Sequence, residues 1–134
     1  ETLCIDLGLE SATHFTGWID HAASLMPTCD VIAIPSRHEG FGLVTLEAMN
    51  SRRPLVASRV SALPEIVEDG QTGYLVAVDD HLELAHALLL LLNNPAQAHA
   101  FGEAGYRRLT DQFSVERMVQ RTVAVYQNLV GSSK

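Results

Sequence analysis

Short apolar runs alternate with longer helical patterns along most of this 134-residue chain. Apolar runs with β-branched residues are typical of buried strands, and apolar positions three or four residues apart are typical of helices. The pattern predicts four strands, at 14–17, 31–34, 54–58 and 73–76. It also predicts helices at 20–26, 42–50, 81–92 and 95–106, a single turn at 64–67, and a last helix that begins at Ser114. This alternation indicates an α/β fold, a Rossmann-like parallel sheet flanked by helices.

The length of the chain allows one domain. We therefore interpret 1–134 as a single partial domain with a core at about 7–92 and C-terminal helices at 95–130. The sequence begins with Glu1 rather than Met, and we expect it to be part of a longer protein. The serine-containing tail from Gly131 onward is expected to be frayed.

The charge of the chain argues against a nucleic-acid partner. Sixteen acidic residues against nine basic ones give a net charge of −7, whereas nucleic-acid binders usually present a basic face. The stretch 37–59 is locally positive, because it contains only two acids, Glu39 and Glu47. Its four basic residues are all arginines: Arg37, Arg52, Arg53 and Arg59. Such a stretch fits an anionic small-molecule site, and it fits solvated loop arginines equally well.

Other composition features exclude several classes of protein. Cys4 and Cys29 are too few for a disulfide scaffold, and we expect two free thiols in a reducing compartment. This favours the cytoplasm or the cytoplasmic face of a membrane. The longest apolar run, 87–92, is too short to span a bilayer. The six histidines lack the spacing of a ligand set, so we expect neither a metal nor another cofactor.

The most informative segment joins the second predicted strand to the next helix through a loop with two glycines, Gly40 and Gly42. In a parallel sheet this junction lies at the carboxyl end of a strand, where α/β proteins place their ligands. Glycines allow close approach of a ligand to the backbone, and the first amides of a helix attract phosphate. The segment therefore predicts an anion-binding turn.

Two glutamates flank this turn. Glu39 precedes it and Glu47 lies in the following helix, at most about 12 Å away at the rise of a helix. Carboxylates accept hydrogen bonds from adjacent hydroxyls such as those of a ribose or a hexose. The span suits an elongated ligand with a diphosphate between two hydroxylated rings. The alternatives are a loop acid that pairs with Arg37 and an exposed helix acid.

Residues 39–49, Glu-Gly-Phe-Gly-Leu-Val-Thr-Leu-Glu-Ala-Met, closely resemble the signature of family 4 retaining glycosyltransferases of GT-B fold. The segments 14–17, 30–36 and 62–76 resemble the family's neighbouring strands and its second glutamate motif. The resemblance extends over about 7–129. It implies the C-terminal domain of a two-domain enzyme, which binds a UDP- or GDP-sugar and transfers a hexosyl group with retention and without a metal.

The resemblance also implies a role for each residue of the turn. Glu39 would be the catalytic residue and would hold hydroxyls of the transferred sugar. Glu47 would hold the ribose hydroxyls. Backbone contacts to the sugar and the diphosphate would come from the residues between them: Gly40, Phe41, Gly42, Leu43 and Val44.

The sequence departs from the family pattern in three ways. Ahead of the second glutamate motif, Ala62, preceded by Ser61, stands where the family usually has glycine, so we expect that loop to differ. Nothing before Leu7 matches the first strands of the domain with their basic pair, and the N-terminal acceptor domain is absent. We therefore expect this chain to be inactive alone and to self-associate through uncovered surfaces. A non-catalytic nucleotide- or sugar-binding module, or an interaction fragment, is the alternative.

Overall fold

A computed structural model describes residues 1–131, so the predicted tail beyond Gly131 lies outside the described residues. The strands are β1 Ile32–Ile34, β2 Leu55–Ser58 and β3 Tyr74–Val76. The helices are α1 Thr2–Asp6, a 3₁₀ helix Ala22–Thr28, α2 Leu43–Asn50, α3 Leu63–Ile66, α4 His81–Leu92, α5 Pro95–Gln112 and α6 Val115–Gly131. The predicted α/β fold with a parallel sheet and flanking helices is confirmed.

The three strands form one parallel sheet in the order β1-β2-β3. Ile32 pairs with Leu55, and Val56 pairs with Tyr74. All four residues of the central strand β2 are buried. Leu55 and Ala57 pack with residues of α2 and α3, whereas Val56 packs with residues of α4 and α5. A strand that is covered on both faces needs a continuous apolar run, which explains the sequence of β2.

The predicted strand at 14–17 is wrong. These residues have no regular secondary structure, and Phe15 is 59% exposed. A strand exists only where a neighbour completes its hydrogen-bond ladder, and no strand of the described residues lies beside this segment or beside the outer edge of β1. The apolar pattern alone therefore does not form a strand here.

The helix starts follow the caps that the sequence contains. Asp80, Asn94 and Ser114 each accept a hydrogen bond from a backbone amide in the first turn of the helix that follows. Helix α4 has the predicted bounds, and the helix predicted to begin at Ser114 is present. Helix α5, however, continues six residues beyond the predicted end at 106, to Gln112.

Arg108, near the C-terminal end of α5, attaches this helix to α3. Its Nε donates to the carbonyl of Ile66 at 2.7 Å, and its Nη2 donates to the carbonyl of Glu65 at 2.9 Å. Its Nη1 forms an ion pair with Glu68. These bonds tie the last turn of α3 to α5 and satisfy carbonyls that a four-residue helix leaves without internal partners.

A second close contact joins α5 to the turn between α2 and β2. A Cβ on Gly102 would lie 2.2 Å from the carbonyl oxygen of Arg52. The Arg52 side chain forms an ion pair with Glu103 at 2.7 Å and lies over the Tyr106 ring at 3.8 Å. Because only a residue without a side chain permits this approach, Gly102 sets the distance between α5 and the sheet.

Candidate functional site

The glycine turn has the geometry that the sequence predicts. Gly42 is the N-cap of α2 with φ of +83°. A Cβ there would lie 2.8 Å from Leu63 Cδ2, so backbone conformation and packing both require glycine. No side chain of the described residues caps α2. The first amides of the helix, those of Leu43 and Val44, therefore remain available to an anion at the carboxyl end of the sheet.

Glu39 lies half-buried at this turn and is held by two serines. Ser36 Oγ donates to Glu39 Oε1 at 2.6 Å, and the Glu39 amide donates to Ser61 Oγ at 3.5 Å. Ser36 follows β1 and Ser61 follows β2, so the carboxyl ends of two adjacent strands fix the carboxylate and its backbone.

Arg37 does not pair with Glu39, which excludes the first alternative interpretation of this glutamate. Its Nε donates instead to Asp79 Oδ1 at 2.6 Å. This hydrogen bond, together with the charge of Asp79, raises the pKa of Arg37. The side-chain hydrogen-bond donor to the Glu39 carboxylate is consequently a neutral hydroxyl, that of Ser36.

The residues around Glu39 form an open surface. Phe41 is 56% exposed, Leu43 and Val44 are also exposed, and Gly40 has open space where a side chain would be. Glu47 lies on the exposed side of α2. The predicted contact residues are thus accessible except Gly42, which is buried. Their roles toward a ligand stay predictions.

The four arginines of the locally positive stretch do not form one cluster. Arg52 pairs with Glu103, and Arg59 pairs with Asp69 at 2.7 Å. Arg53 donates to the carbonyl of Pro27 near the amino end of β2. With Arg37 bound to Asp79, each of the four has an acid or a carbonyl as its partner, which favours the alternative of surface loop arginines over a single anion site.

Ser61 is a feature that the sequence interpretation did not connect with Glu39. It has φ of +50°, the left-handed region that favours glycine. Ala62, which stands at the glycine position of the family pattern, has an ordinary right-handed conformation with φ of −77°. Ser61 instead takes the left-handed conformation and places a hydroxyl next to the Glu39 amide.

Residues 1–94 match the family described as "Glycosyl transferases group 1". The chain belongs to this family. The match covers the glycine turn, both glutamates and the complete sheet. The resemblance to glycosyltransferases of GT-B fold is therefore confirmed, both by the sequence and by the parallel sheet with its flanking helices.

Known glycosyltransferases show the same relationship. The chain is 38% identical over 133 residues to the MMP α-(1→4)-mannosyltransferase of Mycolicibacterium hassiacum, which covers 97% of this chain and 32% of that protein. It superposes on Anabaena HepE in complex with UDP with a TM-score of 0.89 at 26% identity, over 95% of this chain and 35% of that one. HepE also has a structure in complex with UDP-glucose.

A third match is the C-terminal domain of LpcC, a glycosyl transferase group 1 family protein from Francisella tularensis. The TM-score is 0.77 at 29% identity, over 85% of this chain and 60% of that one. The chain thus spans about a third of the length of the mannosyltransferase and of HepE. The LpcC structure is that of a C-terminal domain alone, so this chain is similar to a C-terminal domain of a group 1 family protein.

Within the described residues, no three His, Cys, Asp or Glu side chains lie close enough together to hold a metal ion. The same residues contain no helix with the length and hydropathy needed to cross a membrane. Both cysteines, Cys4 and Cys29, are free thiols.

Proposed function

We propose that this chain is the donor-binding part of a retaining, metal-independent glycosyltransferase of family 4. The observation that carries the proposal is the carboxylate of Glu39, which two loops hold beside the uncapped start of α2. The donor would be a UDP- or GDP-hexose, in keeping with the UDP and UDP-glucose complexes of HepE.

The proposed roles follow the chemistry of each group. The diphosphate would lie at the start of α2, against the backbone of Gly40, Phe41 and Gly42 and the amides of Leu43 and Val44, because helix amides and the helix dipole favour phosphate. Glu39 would accept hydrogen bonds from hydroxyls of the transferred hexose.

Glu47 would accept hydrogen bonds from the ribose hydroxyls. It lies on the exposed side of α2, within the first two turns of the helix. A carboxylate accepts from two adjacent hydroxyls at once, which suits a ribose.

In the proposed reaction, the bond between the anomeric carbon and the diphosphate oxygen breaks as the acceptor oxygen bonds to the same face of that carbon. The acceptor proton passes to the departing diphosphate. Positive charge develops on the sugar ring, and a carboxylate near the ring stabilises this state more than the ground state. Glu39 would supply that carboxylate.

We further propose that the chain acts together with an N-terminal acceptor domain in the cytoplasm or at the cytoplasmic face of a membrane. In support, the mannosyltransferase and HepE are about three times as long as the aligned region. Helix α6 also exposes apolar side chains, such as Tyr126 and Leu129, that a second domain could cover.

The test is donor binding by the full-length protein that contains this chain. Saturation-transfer NMR and calorimetry with UDP-glucose, UDP-N-acetylglucosamine and GDP-mannose should detect at least one of them. Glu47→Ala should weaken the binding of the corresponding free nucleotide diphosphate about tenfold, because the ribose loses a charged acceptor. Absence of binding of all three donors would reject the proposed function.

The alternative is an interaction fragment without transferase activity. The outer edge of β1, which no strand of the described residues covers, and the apolar face of α6 favour it. We expect the 134-residue chain alone to self-associate through these surfaces. Light scattering should show dimers or larger species; a monodisperse monomer with a sharp cooperative melt would contradict this expectation.

A further inference from the structure

Ser36 forms a short hydrogen bond with the proposed catalytic carboxylate. Its hydroxyl donates to Glu39 Oε1 over 2.6 Å, a distance typical of charge-assisted O–H···O⁻ bonds, which are about twice as strong as neutral ones. Ser36 and Glu39 are both half-buried. The bond therefore lies in a partly desolvated place, where water competes with it less than at a free surface.

The backbone next to Ser36 restricts the position of the Ser36 side chain. Ser36 follows β1 after a single residue, Pro35, whose ring fixes φ. The terminal torsion of a glutamate is broad, so Glu39 alone would sample many carboxylate orientations. A donor anchored at the end of a strand narrows that range.

The charge of the partner matters as much as its position. Arg37 lies between the two residues in sequence, yet its guanidinium is bound to Asp79. A cation on Glu39 would cancel the negative charge that a developing positive charge on the sugar requires. The serine hydroxyl contacts the carboxylate without placing a cation beside it.

We infer that Ser36 is a positioning residue: its hydroxyl sets the orientation in which Glu39 meets the hydroxyls of the transferred sugar. This inference rests on the proposed function. It assigns no contact between Ser36 and the nucleotide. Loss of the Ser36 hydroxyl should therefore weaken recognition of the sugar and leave recognition of the nucleotide diphosphate unchanged.

The experiment compares Ser36→Ala with the wild type in the full-length protein. Calorimetry measures the affinity for UDP-glucose and UDP, or for GDP-mannose and GDP, whichever pair the wild type binds. Ser36→Ala should weaken binding of the nucleotide sugar about three- to tenfold and change binding of the free nucleotide less than about twofold. Ser36→Thr should restore the wild-type affinity because it retains the hydroxyl.

Two further variants isolate the contact with Glu39. Ser51→Ala is the matched control, since Ser51 Oγ also donates over 2.6 Å and is half-buried, but to the Ala48 carbonyl at the other end of α2. It should leave both affinities unchanged. In a Glu39→Ala background, Ser36→Ala should have no additional effect on sugar binding, because its partner is gone.

The outcomes separate this inference from the proposed function. A wild type that binds none of the nucleotides or nucleotide sugars rejects both. A wild type that binds, with Glu39→Ala defective and Ser36→Ala normal, rejects the inference alone. Equal weakening of sugar nucleotide and free nucleotide by Ser36→Ala also rejects it, since that is the result of a general structural role.

Discussion

Glu39→Ala should lower kcat of the full-length enzyme by at least about ten- to hundredfold, the effect of a lost hydrogen bond to a charged acceptor. In the proposed mechanism Glu39 faces the ring on which positive charge develops, so its contribution is expected to be larger in the transition state than in the ground state. Glu47→Ala should instead mainly raise KM for the donor, because no charge develops during transfer on the ribose that Glu47 is proposed to bind. Release of the nucleoside diphosphate, as the sugar is transferred to an acceptor or to water, measures both constants.

The exposed glutamate Glu116, in the first turn of α6, provides a control for the loss of one negative charge. Glu116→Ala should leave both constants within about twofold of the wild type. If Glu39→Ala and Glu47→Ala also remain within that range in a folded protein, the glutamates are surface residues and the mechanistic proposal fails.

Gly102→Ala should destabilise the protein by about 3 kcal/mol or more. The new Cβ would overlap the carbonyl oxygen of Arg52, a backbone atom that cannot turn aside as a side chain does. Helix α5 would have to move away from the sheet, and the packing of the buried Phe101 in the same turn would loosen. Urea unfolding followed by circular dichroism measures the free energy of unfolding.

Gly105→Ala in the same helix is the matched comparison. Its Cβ would meet Met49 Cγ at 3.3 Å, a flexible side chain that needs to shift only slightly. Alanine also gains up to about 1 kcal/mol of helix propensity over glycine. The variant should therefore stay within about 1 kcal/mol of the wild type. Equal destabilisation by both substitutions would show that the Arg52 carbonyl does not limit the position of α5.

The sequence predicts β1, β2, β3 and α4 because local signals and tertiary packing agree in these elements. The central strand is apolar throughout and buried on both faces, and Asp80 caps α4 as expected for an acid before a helix. The glycine turn is equally predictable, since the backbone conformation and the lack of space at Gly42 both select for glycine.

The remaining differences arise from contacts between distant parts of the chain. The segment 14–17 has an apolar pattern but lacks a strand beside it, so pattern alone misleads. Helix α5 extends to Gln112 because Arg108 bonds to carbonyls 42 and 43 residues earlier in the chain.

In the candidate site, too, the local glycine turn is predictable from the sequence, whereas contacts between distant residues are not. The sequence does not identify Ser61 as a partner of Glu39, because it is 22 residues away and only the parallel pairing of β1 and β2 brings it close. Ser36 is three residues away, but the direction in which its hydroxyl points depends on the loop that follows β1. Arg37 is bound to an aspartate 42 residues further along the chain. No spacing rule in the sequence reveals these contacts.

The hydrogen bonds from Arg108 to carbonyls of α3 couple local unfolding of α3 to that of α5. Helix α3 contains only four residues and cannot persist as an independent unit, so its folding is coupled to the docking of α5. Ser61 lies just before α3 and Leu63 packs against Gly42, so the wall of the glycine turn belongs to the same cooperative unit. A transient detachment of α5 would release the segment that supports Glu39 without breaking any strand pair. Helix α5 thereby stabilises the conformation of the glycine turn, which lies more than 50 residues earlier in the chain.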